Sequence, residues 1–245
     1  IYNYLMRLPR VYYKEFSQTD NILIDNKSKI NHLINVLRLS EGSQLELFDG
    51  KGKSSICVIT SLKRKEIILE RISQIKSQQP EKVKLSVLMP YIKKENLYFA
   101  IQKVTEIGIS KLILFKPDNI DQSMKKKDLT KINEKAFSII ANSCEQNGSN
   151  IIPDFLTYED ISSALSEKRF SIFFDLDAVQ DLNCIKDYKD DITLITGPES
   201  GFSKRERKLL DANTNHNISL GKNTLRAETA PITALSIIKS NLGLL

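Results

Sequence analysis

"LITGPESGFSKRERKLL", residues 194–210, opens as an apolar strand and closes as a charged helix. Between them Gly197, Pro198 and Gly201 build a turn, because glycine tolerates positive φ and proline fixes φ. A strand, a glycine turn and a helix in succession bring backbone amides to a ligand. The stretch has neither the G-x-x-x-x-G-K-[ST] of a phosphate loop nor the G-x-G-x-x-G of a dinucleotide fold. It reads either as a binding loop of another kind or as a tight connection. Ser203 and Glu206 form an S-x-x-E capping box that starts the helix.

The same rhythm extends on both sides. Upstream, "VKLSVLMP" (83–90) is a strand, and Leu97, Ile101 and Val104 stripe a helix that ends at Gly108. "KLILF" (111–115) is the next strand. Leu129, Ile132, Ala136, Ile139 and Ile140 mark a long amphipathic helix over 128–146. "FSIFFD", "ITLIT" and "NISL" are further short strands, and a last helix starts near Thr229 with Pro231 in its first turn. Such alternation predicts an α/β parallel sheet with ligands beyond the carboxyl ends of the strands. A second strand, glycine and polar loop precedes the last helix in "ISLGKNTLRAETAPITALSII" (218–238). Arg226 and Glu228 at that helix start read as a salt bridge with favourable helix-end charge, or as part of one pocket lined by both turns.

Ahead of the linker "SQIKSQQPEKVK" (73–84) the pattern is different. "QLELFDGKGKSSICVITSLKRKEIILERIS" (44–73) alternates apolar and polar residues as three strands, the first two joined at Asp49-Gly50-Lys51-Gly52. Ile30, Leu33, Ile34 and Leu37 share one face of a preceding helix. The expected domains are therefore 1–75, small and β-rich, and 83–245, α/β.

The 245 residues are 41% hydrophobic and 27% charged, an ordinary globular composition. No apolar run approaches the roughly 20 residues of a membrane span, and no signal-peptide pattern opens the chain. Met6 reads as a natural initiator, with residues 1–5 as an extension. Cys57, Cys144 and Cys184 lack paired spacing, and His32 and His216 are the only histidines. No metal centre or disulfide framework is expected, and a reducing cytoplasm fits. Net charge is +6, which favours a polyanionic partner, nucleic acid first. The run "MKKKDL" (124–129) reads as a solvated loop and helix start.

"LITGPESGFSKRE" with "LGKNTLRAETAPITAL" resembles the paired C-terminal motifs of the RsmE family of ribosomal RNA methyltransferases. "MRLPRVYY", "HLINVLRLSEGSQLELFDG", "IQKVTEIGI" and "CEQNG" resemble other family segments, so the likeness covers almost the whole chain. It implies a SPOUT-type trefoil-knotted parallel-sheet domain that binds S-adenosylmethionine, preceded by a small PUA-like RNA-binding β-barrel. It also implies a homodimer, and methylation of N3 of a uridine in the decoding region of 16S ribosomal RNA within the assembled small subunit. Two alternatives keep parts of this reading. One is a SPOUT enzyme acting on a ribose 2′-oxygen or another base; the other is a non-catalytic RNA-binding assembly factor.

Carried onto this sequence, the resemblance assigns Thr196, Gly197, Glu199, Ser200 and Gly201 to one cofactor wall, and Leu220, Gly221, Leu225 and Arg226 to another. Backbone groups at glycine turns can read adenine and ribose without bulky side chains. Arg226 is the candidate cation beside the uracil, and Glu199 or Glu228 the candidate proton acceptor, either glutamate reading equally as a helix-start charge or a cofactor-ribose ligand. Arg7, Arg10 and Arg38 are the candidate RNA phosphate contacts. Three departures stand out: Ser200 replaces the family's glycine, Ser149 and Ile151 follow "CEQNG" without an arginine, and Gln122 stands about where another arginine is usual. A positive φ at Ser200 would strain that turn.

Overall fold

The computed structural model describes residues 8–166, 170–178, 180 and 191–245. Residues 1–7, with Met6 and Arg7, and Cys184 lie outside the described residues. The chain forms two compact units: one runs up to Pro80 and adds Cys144–Ile152, and the other comprises Glu81–Ser143 and Pro153–Leu245.

In the first unit β1 (Arg10–Tyr12), β2 (Asn21–Ile24), β3 (Gln44–Phe48), β4 (Lys53–Leu62), β5 (Ile67–Arg71) and β6 (Lys76–Ser77) share one sheet. Its order is β1-β3-β4-β5-β2, with β6 beside β4. Within this sheet only the β1/β3 pair is parallel among the described strands. The period of two turns Leu45, Leu47, Cys57, Ile59, Ile67 and Leu69 into one core. Ile30 and Leu33 join that core from α1 (Lys27–Asn31) and the wider turn His32–Val36. The Asn26 side chain caps α1 by accepting the N–H groups of Ser28 and Lys29. The three expected strands are β3, β4 and β5. β6 falls inside the stretch read as a linker, because two exposed polar residues carry no apolar alternation.

The sequence boundaries put residues 144–152 in the second domain, but Asn150 and its neighbours hydrogen-bond to residues of the first unit. Asn150 gives its N–H to Gln78 Oε1 (2.6 Å), its carbonyl accepts the Gly52 N–H (3.0 Å), and its Nδ2 donates to Ser54 Oγ (3.0 Å). A Cβ on Gly52 would lie 2.5 Å from the Gln78 carbonyl oxygen, so glycine is needed there. Arg10 completes the cluster. It donates to Glu46 Oε2 (2.8 Å), to the Ser149 carbonyl (3.0 Å) and to Asn150 Oδ1 (2.7 Å), with its guanidinium 4.9 Å from the Phe48 ring centroid. Its side chain is only 8% exposed. The expectation of a phosphate contact at Arg10 is therefore replaced by a structural one: its cation is already engaged by protein acceptors. Arg38 is exposed and adopts φ 54°, the one positive φ among described non-glycine residues.

The second unit carries a wholly parallel sheet of order β12-β10-β11-β7-β8-β9. The strands are β7 (Lys84–Pro90), β8 (Lys111–Phe115), β9 (Asp154–Tyr158), β10 (Phe170–Phe174), β11 (Asp191–Ile195) and β12 (His216–Ile218). Inner strands such as β7, β8 and β11 are nearly continuous apolar runs because helices cover both faces. Those helices are α2 (Lys94–Ile107), α3 (Gln122–Lys125), α4 (Leu129–Asn147), α5 (Ile161–Ala164), α6 (Lys204–Asn213) and α7 (Thr229–Asn241). α2 ends at Gly108, φ +99°, whose carbonyl and that of Ile107 accept from buried Lys239 of α7 at 3.4 and 3.0 Å. After β12 at the sheet edge, the chain returns to the middle, where α7 packs against β7, β11 and α2. Among the described residues no helix is long and apolar enough to cross a membrane.

Arg10→Ala should leave the Glu46 carboxylate and Asn150 Oδ1 without their donors. The expected cost is about 2–4 kcal/mol, read by denaturant unfolding, with faster hydrogen exchange at the Gly52 and Asn150 amides. Unchanged stability together with weakened RNA binding would restore the phosphate role.

Candidate functional site

Beyond the carboxyl ends of β12, β10, β11 and β7, four neighbouring strands, opens a cavity of about 630 Å³. That lies within the ~300–1,000 Å³ of small-molecule sites. The turn Gly197–Phe202 makes one wall and the loop from Leu220 to Glu228 another. The segment Phe174–Asp177, the start of α2 at Lys93 and Asn96, Arg207 of α6 and Ala230 of α7 supply the remainder.

The first turn is held rigidly. Gly201 adopts φ +72° and its N–H meets the Pro198 carbonyl at 2.9 Å. A Cβ on Gly201 would meet nothing within 4 Å, so glycine serves conformation there rather than space. At Gly197 the reverse holds: a Cβ would sit 3.1 Å from the Phe202 ring. Ser200 is not among the positive-φ residues, so the serine carries no such strain; Gly201 takes the left-handed position.

Below this turn the capping box is complete. Ser203 Oγ accepts the Glu206 N–H (3.1 Å), and Glu206 Oε2 accepts the Ser203 N–H (2.8 Å). Glu206 is fully buried, and its Oε1 also accepts the Asp118 N–H from the loop after β8 (3.0 Å). The link is doubled by Asp118, whose carboxylate receives Ser203 Oγ (2.5 Å) and Arg205 through Nε (3.0 Å) and Nη2 (2.5 Å). The Arg205 hydrogen bonds, aided by Ser203, hold the Asp118 carboxyl below its usual range.

The second wall is looser and more charged. Gly221 adopts φ +119°, with its N–H on Ser219 Oγ at 3.2 Å. The Arg226 carbonyl accepts the N–H groups of Thr229 and Ala230, which fixes its backbone at the start of α7. Its side chain is 83% exposed, with Nη1 3.9 Å from Glu228 Oε1. Glu228 is the opposite: its side chain is 11% exposed, and its Oε2 is buried with no hydrogen-bond partner. A buried carboxylate oxygen without a donor is costly unless a ligand supplies one.

The predicted residues Gly197, Glu199, Ser200, Gly201, Leu220, Gly221, Leu225, Arg226 and Glu228 all line this one cavity. Thr196 stands behind the wall instead, almost wholly buried, with its N–H on the Leu88 carbonyl at 3.1 Å. Glu199 is exposed and its Oε1 accepts the Lys93 N–H (3.3 Å), which ties the turn to α2. Sequence reasoning missed Lys93, Asn96 and the pair Asp175–Arg207 (2.5 Å). The signal for Asp175 was available, since an acid directly after "FSIFF" sits at a strand's carboxyl end. Among the described residues no group of three or more His, Cys, Asp or Glu side chains gathers as a metal site.

Residues 79–239 match the family model described as an RNA methyltransferase domain, and residues 24–70 match an RNA methyltransferase PUA domain. Ribosomal RNA small subunit methyltransferase E of Mesomycoplasma hyopneumoniae is 30% identical over 170 residues, 68% of this chain and 74% of that protein. The chain belongs to the RsmE family of RNA methyltransferases. The RsmE protein of Buchnera aphidicola subsp. Schizaphis graminum is 28% identical over 97% of this chain and 98% of its own. Among solved structures, a Legionella pneumophila methyltransferase in complex with the cofactor SAM is 26% identical, with a TM-score of 0.88 over 96% of this chain and 98% of that one.

Glu206→Gln keeps the shape of the side chain but offers one acceptor oxygen where two N–H groups need one each. It should cost about 1–3 kcal/mol in unfolding and speed amide exchange at Asp118 and Ser203. Wild-type exchange at both amides would show that the carboxylate does not hold the turn.

Proposed function

We propose that the protein transfers the methyl group of S-adenosylmethionine to N3 of a uridine in 16S (small-subunit) ribosomal RNA. The observation that carries this reading is Glu228, a buried acceptor with an unpartnered oxygen, beside the exposed Arg226 in a cavity walled by two glycine turns. Family membership and the cofactor named in the Legionella structure support it.

The two turns suit a ligand without phosphates. Peptide groups around Gly197, Gly201 and Gly221 present donors and acceptors with no side chain between them and an adenine or ribose edge. Bound there, the cofactor supplies an activated methyl group, so placement in line with the acceptor nitrogen provides much of the rate. The protein's own part concerns the N3 proton. Glu228 Oε2 is the acceptor because no protein donor competes for it, whereas Glu199 is exposed and engaged by the Lys93 N–H. The Arg226 guanidinium stabilises charge on the flanking carbonyl oxygens as the proton leaves. Arg38, exposed on the first domain, meets RNA phosphate. The enzyme works in the cytoplasm as a homodimer on the assembled small subunit.

Ribosomal RNA from cells lacking the protein should have lost one 3-methyluridine by nucleoside mass mapping, and the gene should restore it. Loss of a 2′-O-methyl instead, or of nothing, overturns the reading. In vitro, at saturating cofactor, Glu228→Gln and Arg226→Ala should each lower turnover about 10²- to 10³-fold. Arg226→Lys should recover part, keeping the charge without the planar fork. Near-normal turnover of Glu228→Gln would place the proton acceptor elsewhere.

A further inference from the structure

The segment "KPDNIDQSMKKKDLTK", residues 116–131, carries five lysines against three aspartates. The loop is not a loosely solvated run. Ile120 and Met124 are buried and anchor it from within. Asp118 fixes it to α6 through Glu206, Ser203 and Arg205. The Asn119 carbonyl accepts Ser200 Oγ at 3.4 Å, and Ser200 lines the cavity. The loop therefore stands as a fixed shelf beside the Gly197–Phe202 wall of the cavity.

Its acids are engaged close to home. Asp118 is held by Arg205 and Ser203, Asp121 accepts the Ser123 N–H (2.8 Å), and Asp128 accepts the Thr130 N–H (3.0 Å). Hydrogen bonds from Ser123, with the Lys93 charge a smaller influence, keep the Asp121 carboxyl below its usual range. Lys116, Lys125, Lys126 and Lys127 are exposed and, among the described residues, make no ion pair. A pinned shelf of unpaired cations has the chemistry of a polyanion contact: point charges that position a phosphate backbone without reading its sequence.

We infer that the 116–131 loop is a phosphate-contact surface that holds the RNA backbone across the cavity mouth. The inference rests on the proposed RNA substrate and adds a docking site to it. The test uses small ribosomal subunits from cells lacking the protein, with the Lys125→Gln/Lys126→Gln/Lys127→Gln variant. Affinity should fall at least tenfold, and the slope of log K against log salt should shrink by about two units. Cofactor affinity by calorimetry and kcat at saturating subunits should stay at wild-type values while KM rises. The triple arginine variant should restore affinity and slope.

An unchanged slope and KM in the glutamine variant, with a wild type that binds and methylates subunits, overturns the docking surface alone. A lowered kcat with KM unchanged also overturns it, since the loop would then act on the chemistry. A wild type that does not bind subunits overturns the substrate reading, and the docking surface with it.

Discussion

One buried carboxylate organises the second domain's working edge. Glu206 lies within the protein between two backbone N–H groups, one from Ser203 at the start of its own helix and one from Asp118 on the loop after β8. A buried carboxyl group without donors in that place would be expensive, so its two N–H bonds fix both loops. The arrangement sets the turn Gly197–Gly201 against the cavity, and sets the lysine loop beside it. The wall proposed for the cofactor and the loop proposed for RNA thus share one support.

The two walls divide the work. The first is rigid, bound by the capping box, the Asp118–Arg205 pair and the Glu199 contact with α2. Such rigidity suits a surface that recognises a ligand through backbone groups, where small displacements lose alignment. The second wall holds a cation that is almost free and an acid that is almost buried, two residues apart. Their contrast in environment, rather than their identity, separates the two roles proposed for them.

Much of this was legible in the sequence, for local reasons. Glycine and proline punctuated both turns, S-x-x-E announced the α6 cap, and apolar runs located β7, β8, β10 and β11. What escaped depends on partners far along the chain. Arg10 looked like a surface cation, but its acceptors at Ser149 and Asn150 lie 139 and 140 residues away. β9 is an edge strand with half-buried residues and no clean alternation, and β1 is three residues long. The domain membership of Cys144–Ile152 followed from the same distant bonds. Ser200 shows the opposite case, where a departure expected to strain the turn is absorbed because the next residue supplies the positive φ.

The claim on which everything else depends is that the two glycine turns hold one ligand together. Hydrogen exchange on the intact protein, with and without S-adenosylmethionine, tests it directly. Amides in 196–203 and in 219–227 should slow together on titration, at the same cofactor concentration. Protection of one turn alone, or of neither, would contradict the account.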